Sequence, residues 1–303
     1  MKKLFLTILL VLVLGLSACG AETPVEPAPA APEEMPADME EATAEPAAPT
    51  DAPEPTSETA AEFKPQPADG QRVEFQAEDG TKLVGYYYPA GVPDAPVVVL
   101  MHWARGDQND WLKNGMVDWL QNRGTQHGTN APARQSVIYP VMPENVSFAV
   151  FTFDFREYGE SEGSFSPDGL VMDAKAAYEK AKTLEGVDPT RLGGIGSSIG
   201  ADGVVDGCAD GCLGTLSLSP GSYLNVPYTN AVKLLDDEEK PVTCVASEGD
   251  ITSANTCKAA AGNFYEAILY TGSEHGDMFY QNPPEGFGEM LYDWLDKVFQ
   301  IEG

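Results

Sequence analysis

Gly196-Ser197-Ser198-Ile199-Gly200 is a G-x-S-x-G pentapeptide, and it stands where a strand should hand over to a helix. Arg191 to Ile195 read as a short buried strand, and the residues from Ala201 onward are small. A serine in such a turn is held on a strained backbone, and its hydroxyl projects from the sheet edge. Glycines two residues before and two after it remove the side chains that would block the turn. Such a pentapeptide also occurs by chance, so its weight depends on a base and an acid further along the chain. A serine hydroxyl is a weak nucleophile until a base takes its proton, and imidazole suits that task at neutral pH.

The chain has three histidines, His102, His127 and His275. His275 comes after the apolar run Ala267-Ile268-Leu269, in the loop after a last core strand. His102 ends an earlier strand, and His127 lies in a polar, Gly-rich segment. His275 is therefore the expected base, against the plain alternative of a surface-loop histidine. An acid should come between serine and histidine, to hold the imidazole tautomer and stabilise the imidazolium. Val242 to Ser247 read as a strand, and Glu248-Gly249-Asp250 come next. Asp250 is the expected acid, with Glu248 and Asp277 as competitors. Asp250 also precedes Thr252 and Ser253 at the start of a helical stretch, so it could cap that helix as well.

With these residues in place the chain resembles the α/β-hydrolase superfamily, nearest its dienelactone-hydrolase-like or esterase branch, over residues 72–303. Val97-Val98-Val99-Leu100-Met101-His102 resembles the family's third strand, which ends in His-Gly. Asp154-Phe155-Arg156-Glu157-Tyr158-Gly159-Glu160-Ser161 is similar to its D-x-R-G-x-G-x-S loop. Val187-Asp188-Pro189-Thr190-Arg191 is like the approach to its nucleophile strand. The resemblance implies an oxyanion hole of two backbone amides, assigned here to Ile199 and Ala104. Trp103 and Glu157 stand where the family has glycine. Trp103 reads either as a packed core aromatic or as a wall of the acyl pocket, with Tyr223 as a second pocket residue. Asp154 and Arg156 are expected to form a structural ion pair.

The N-terminus carries another signal. Met1-Lys2-Lys3 is basic, Leu4 to Leu16 is almost wholly apolar, and Leu16-Ser17-Ala18-Cys19 resembles the bacterial lipobox. The apolar run is shorter than the ~20 residues a membrane span needs. Residues 1–18 therefore read as a lipoprotein signal peptide, with cleavage before Cys19 and acylation of that cysteine. Residues 19–70 read as the lipidated Cys and then a disordered Ala/Pro/Glu-rich linker. It has too little apolar surface to offset its ordering entropy. The expected location is extracytoplasmic, in a bacterial cell envelope, with a membrane anchor at Cys19.

The formal net charge is −29. Residues 71–303 hold 34 acids against 15 Lys and Arg, a net of −19. Such a surface argues against nucleic acid and anionic polymers as partners. The run Asp236-Asp237-Glu238-Glu239 reads as a solvated loop. Setting Cys19 aside leaves Cys208, Cys212, Cys244 and Cys257, an even number that an oxidising compartment would pair. Of three connectivities, Cys208–Cys212 and Cys244–Cys257 are favoured. Zinc is the alternative, but the spacing is not that of two C-x-x-C pairs.

These segments predict an α/β fold. A mostly parallel sheet of about eight strands should carry helices on both faces and a leading antiparallel hairpin, Arg72–Gln76 and Lys82–Tyr88. Only about 20 residues separate Ser219-Pro220 from Val242, too few for a large cap. The irregular stretch Gly124 to Ser147, with His127, Tyr139 and Met142, could rim the site or be an ordinary insertion. The expected activity is serine hydrolysis of a small carboxylic ester by a monomer without cofactor or metal. A peptidase or lipase on the same residues, or a catalytically silent ligand-binding lipoprotein, are the alternatives.

Overall fold

The computed structural model describes residues 63–123 and 137–301. The expected signal peptide, Cys19, most of the linker and His127 lie outside the described residues. Two strands open the fold, β1 (Gln71–Gln76) and β2 (Lys82–Tyr88). They pair antiparallel around Asp79-Gly80 and form the expected leading hairpin. Then come β3 (Ala95–Met101), α1 (Asp110–Lys113), α2 (Met116–Gln121), β4 (Ala149–Asp154), α3 (Pro167–Ala181) and β5 (Val187–Ser197). The chain continues through α4 (Ile199–Gly207), β6 (Cys212–Leu218), α5 (Tyr228–Asp237), β7 (Val242–Ser247) and α6 (Ile251–Ala259). It ends with β8 (Tyr265–Tyr270), α7 (Met278–Gln281) and α8 (Phe287–Phe299).

The eight strands form one sheet in the order β1-β2-β4-β3-β5-β6-β7-β8, parallel from β4 through β8. The physical reason lies in β3 and β4, where every residue is buried. A strand apolar on both faces must be covered on both faces. Val97, Val99 and Met101 join a core with α3, α4, α5 and α6 on one side. Val98 and Leu100 join a second core with α1, α2, α7 and α8 on the other.

Two local expectations change. The helical periodicity of Trp111 to Arg123 predicts one helix, but the chain forms α1 and α2, broken where Gly115 adopts φ 83°. The acidic run 236–239 is not wholly a loop: Asp236 and Asp237 close helix α5. Asp237 there pairs with Lys233 at 2.7 Å, and Asp236 accepts the Phe264 N–H at 2.6 Å. Residues 63–70 have no regular secondary structure. They are tied down by Gln121 Nε2 on the Ala68 carbonyl (3.1 Å) and Arg123 Nη2 on the Gln66 carbonyl (2.6 Å). Both disulfides connect as favoured, Cys208–Cys212 and Cys244–Cys257.

Candidate active site

Strand register places the site. Met101 at the end of β3 pairs with Gly196 of β5, and Ser197 pairs with Leu218 of β6. Past the strand ends the ladder continues, with Ser198 N–H on the Leu218 carbonyl and Ser219 N–H on the Val245 carbonyl, both at 2.8 Å. The loops after β3, β5, β6, β7 and β8 therefore gather at one sheet edge. That carboxyl-terminal edge is where open α/β sheets bind ligands.

Ser198 sits at φ 55°, ψ −113°, a region a non-glycine residue enters only when its surroundings force it. The flanking glycines explain the force. A Cβ on Gly196 would fall 2.0 Å from the Gly200 carbonyl oxygen. One on Gly200 would fall 2.2 Å from the Met101 carbonyl oxygen. The helix start is thus pressed onto both β5 and β3, and the serine is left on the outside of the bend.

His275 Nε2 lies 2.9 Å from Ser198 Oγ, and Nδ1 lies 2.7 Å from Asp250 Oδ2. A carboxylate only accepts, so Nδ1 carries the proton and Nε2 is free to accept from the serine hydroxyl. Gly276 makes this approach possible. Its φ is 56°, its N–H donates to Ser219 Oγ at 3.0 Å, and a Cβ there would lie 3.2 Å from Trp103 Cε3. Asp250 does two jobs: Oδ2 meets the histidine while Oδ1 accepts the Ser253 N–H (3.5 Å) as the N-cap of α6. The Cys244–Cys257 disulfide ties β7 to α6 across this acid.

The competing acids are placed elsewhere. Glu248 is exposed, with its N–H on the Tyr270 carbonyl. Asp277 is buried against Asn114 Nδ2 (3.4 Å) and Gln281 Nε2 (3.3 Å). Burial, and then the nearby Asp110 carboxylate, push its carboxyl up to about 7. Ile199 opens α4, so its N–H is one of the first-turn donors without an intrahelical partner. Ala104 is exposed in the turn after β3. Trp103 stands between this turn and Gly276, and its Nε1–H donates to Asp110 Oδ2 at 3.1 Å. Tyr223 stands on the other side of the histidine, ring edge to ring face, with centroids 6.4 Å apart.

The Asp154–Arg156 pair does not form. Asp154 accepts the N–H groups of Gln108 and Glu160, each at 2.9 Å, so it stitches the loop after β3 to the loop after β4. Arg156 instead grips Asp173 of α3 with Nε and Nη2, and Asp79 of the first hairpin with Nη1. A guanidinium fork satisfies two carboxylates at once, whereas Asp154 is already filled by backbone donors. Glu157 takes φ 74°, the conformation for which the resembling loop has glycine. From the stretch 124–147, residues 124–136 lie outside the described residues. In the remainder, Tyr139 stacks on Trp119 at 4.7 Å and Met142 is buried, so both pack in the core.

Two supporting residues were not anticipated. Asp202, one turn after Ser198 in α4, accepts the N–H groups of Gly221 (3.2 Å) and Tyr223. It thereby pins the loop that carries Tyr223, and burial pushes its carboxyl up to about 7. A single carboxylate inside the small, apolar run from Ile199 to Val205 was the available signal. Ser219, fully buried at φ 60°, had no such signal. Among the described residues no three His, Cys, Asp or Glu side chains gather as a metal site. None of the described helices is long and apolar enough to cross a membrane.

No protein-family model matches the chain. The uncharacterized protein YfhR of Salmonella typhi is 31% identical over 145 residues, 47% of this chain and 42% of its own length. The uncharacterized protein Rv2307c of Mycobacterium tuberculosis is 28% identical over 133 residues, 44% of this chain and 38% of its own. The chain thus spans less than half the length of these curated relatives. Among solved structures, it is similar to the Pyrococcus furiosus esterase Pf2001 (18% identity, TM-score 0.56, 76% of this chain and 91% of that one). It is also similar to the alpha/beta hydrolase GrgF of Penicillium sp. sh18 (13%, TM-score 0.56, 77% and 99%). The acetyl xylan esterase of Paenibacillus sp. R4 aligns likewise (16%, TM-score 0.54, 75% and 83%). The fold is the α/β-hydrolase fold, without a large cap among the described residues.

Proposed function

We propose that this chain is a serine hydrolase of small carboxylic esters, held outside the cytoplasm by a lipid on Cys19. The single observation that carries the chemistry is the hydrogen-bonded line Ser198–His275–Asp250, at 2.9 and 2.7 Å. Ser198 Oγ attacks the acyl carbon as its proton passes to His275 Nε2, and the carbonyl electrons move onto oxygen. The Ile199 and Ala104 amides receive that oxyanion. His275 then gives the proton to the leaving alkoxide, and an acyl-enzyme remains on Ser198. Water, deprotonated by His275, releases the acid and restores the serine. Asp250 holds Nδ1–H toward itself throughout and stabilises the imidazolium. The paired cysteines and the lipobox-like Ser17-Ala18-Cys19 support the location.

The test is hydrolysis of p-nitrophenyl esters from acetate to palmitate by wild type and Ser198→Ala. The expected result is turnover that ends with the serine, with an optimum at short acyl chains because Trp103 crowds the site. Cleavage that survives Ser198→Ala overturns the mechanism. Folded wild type that cleaves anilides but no ester moves the reading to a peptidase. Failure to take up a fluorophosphonate on Ser198 moves it to a binding protein. Labelling by a fatty-acid analogue in cells, lost in Cys19→Ser, tests the anchor.

A further inference from the structure

The turn after β3 carries a cation in an unusual setting. Among the described residues many Lys and Arg side chains of this acidic domain sit on carboxylates, as Arg72 does on Glu74 and Glu160, and Lys297 on Glu266. Arg105 is exposed, and among the described residues it makes neither an ion pair nor a hydrogen bond. Its guanidinium instead stands over the Trp103 ring, 5.8 Å from the centroid. The nearest acids in the chain already have other partners. Asp107 Oδ1 accepts the Asn109 N–H at 2.9 Å, and Asp110 is divided between Trp103 Nε1 and Lys113 Nζ.

The indole under Arg105 is a fixed shelf. Its bond to Asp110 passes directly over Gly106, where a Cβ would fall 1.8 Å from Asp110 Oδ2 and 2.5 Å from Trp103 Nε1. Its other edge lies against Gly276, whose Cβ position is also 3.6 Å from Ser198 Cβ. One edge of the indole thus lies close to the serine, and its ring carries the guanidinium. Arg105 is also the next residue after Ala104. A guanidinium presents a planar fork of donors that matches a carboxylate. Stacking on the ring holds that fork in place and leaves its donors open. The net −19 of the domain repels anions at long range, but salt screens that field beyond ~8 Å, so the local cation decides.

From this arrangement we infer that Trp103 and Arg105 form a carboxylate-binding subsite, and that the preferred substrates are esters carrying a second, free carboxylate. This rests on the ester-hydrolase reading for its kinetic test but not for its binding test. Two matched pairs of esters separate the positions of the charge. Mono-p-nitrophenyl glutarate against p-nitrophenyl pentanoate places it on the acyl side. 4-Acetoxybenzoate against 4-methylphenyl acetate places it on the alcohol side. The readout is the charged-to-neutral ratio of kcat/KM in wild type, Arg105→Gln and Arg105→Lys. At least one ratio should fall tenfold or more in Arg105→Gln, chiefly through KM, with partial recovery in Arg105→Lys. Fluorophosphonate labelling of Ser198 in each variant checks that the site is intact. If both ratios are the same in wild type and Arg105→Gln, the subsite does not exist. If wild type cleaves no ester, the hydrolase reading fails separately, and benzoate binding by quenching of tryptophan fluorescence decides. Binding weakened tenfold in Arg105→Gln upholds the subsite, and binding indifferent to Arg105 overturns it.

Discussion

His102 and His275 both stand at the carboxyl edge of the sheet with both ring nitrogens engaged, yet they are opposite kinds of residue. His102 is 1% exposed, and its Nδ1–H donates to the Trp103 carbonyl at 2.7 Å. Its Nε2 accepts the Phe155 N–H at 3.1 Å, and Phe155 and Tyr158 pack edge-on against the ring. A carbonyl and an amide leave this imidazole one tautomer and no proton to take. Burial lowers its pKa from 6.5. His275 keeps a side chain 31% exposed and faces a carboxylate and a hydroxyl. The hydroxyl can surrender its proton, and the carboxylate favours the cation that results. What separates a strut from the proposed base is therefore the chemistry of the partner, not the number of hydrogen bonds.

The largest test of that contrast is truncation of each ring. His275→Ala should lower kcat/KM for a p-nitrophenyl ester by about 10⁴-fold or more, with the fold retained by circular dichroism. If His102→Ala matches that loss in a folded protein, the contrast fails. Next comes Asp250→Asn, which keeps the N-cap acceptor but leaves Nδ1–H without a carboxylate. A fall of about 10²- to 10⁴-fold in kcat is expected, with little change in melting temperature.

On the His275 side, the Cys244–Cys257 bridge closes a 13-residue separation that contains Asp250. Replacing both cysteines by serine should cost about 3 kcal/mol in chemical denaturation. On the other side, His102→Ala strands a buried carbonyl and amide, at about 2 kcal/mol. The sign of its pH dependence comes from the lowered pKa. The unfolded chain takes up a proton below 6.5 that folded His102 refuses, so wild type loses stability as pH falls through that value. His102→Ala should flatten that acid limb.

The smallest effect extends the contrast to carboxylates. Asp206 has a buried Oδ2 without a partner, and burial, reinforced by Asp202, pushes its pKa from 3.8 up to about 8. Between those values the unfolded chain has released the proton and the folded one has not, so stability falls as pH rises. Asp206→Asn should be more stable than wild type at pH 8 by about 1 kcal/mol. Equal denaturation midpoints at pH 5 and pH 8 for the two proteins would contradict this.

Much of the molecule is legible in one dimension because its rules are local. The strand–Gly-x-Ser-x-Gly–helix grammar, the all-apolar β3 and β4, and the Ser198, Asp250, His275 order all depend on neighbours along the chain. The cysteine pairing was reachable because both bridges join residues close in sequence, 4 and 13 apart. Other features depend on partners that only folding brings near. Arg156 could choose Asp173 and Asp79 over Asp154 only after α3 and the first hairpin met. Asp202 and Ser219 became supports of the site only because the loop after β6 folds back onto α4 and Gly276. The order of the candidate groups along the chain is a property of the sequence. Their approach to within 3 Å, and the different partners that His275 and His102 receive, belong to the sheet register and the loops it gathers.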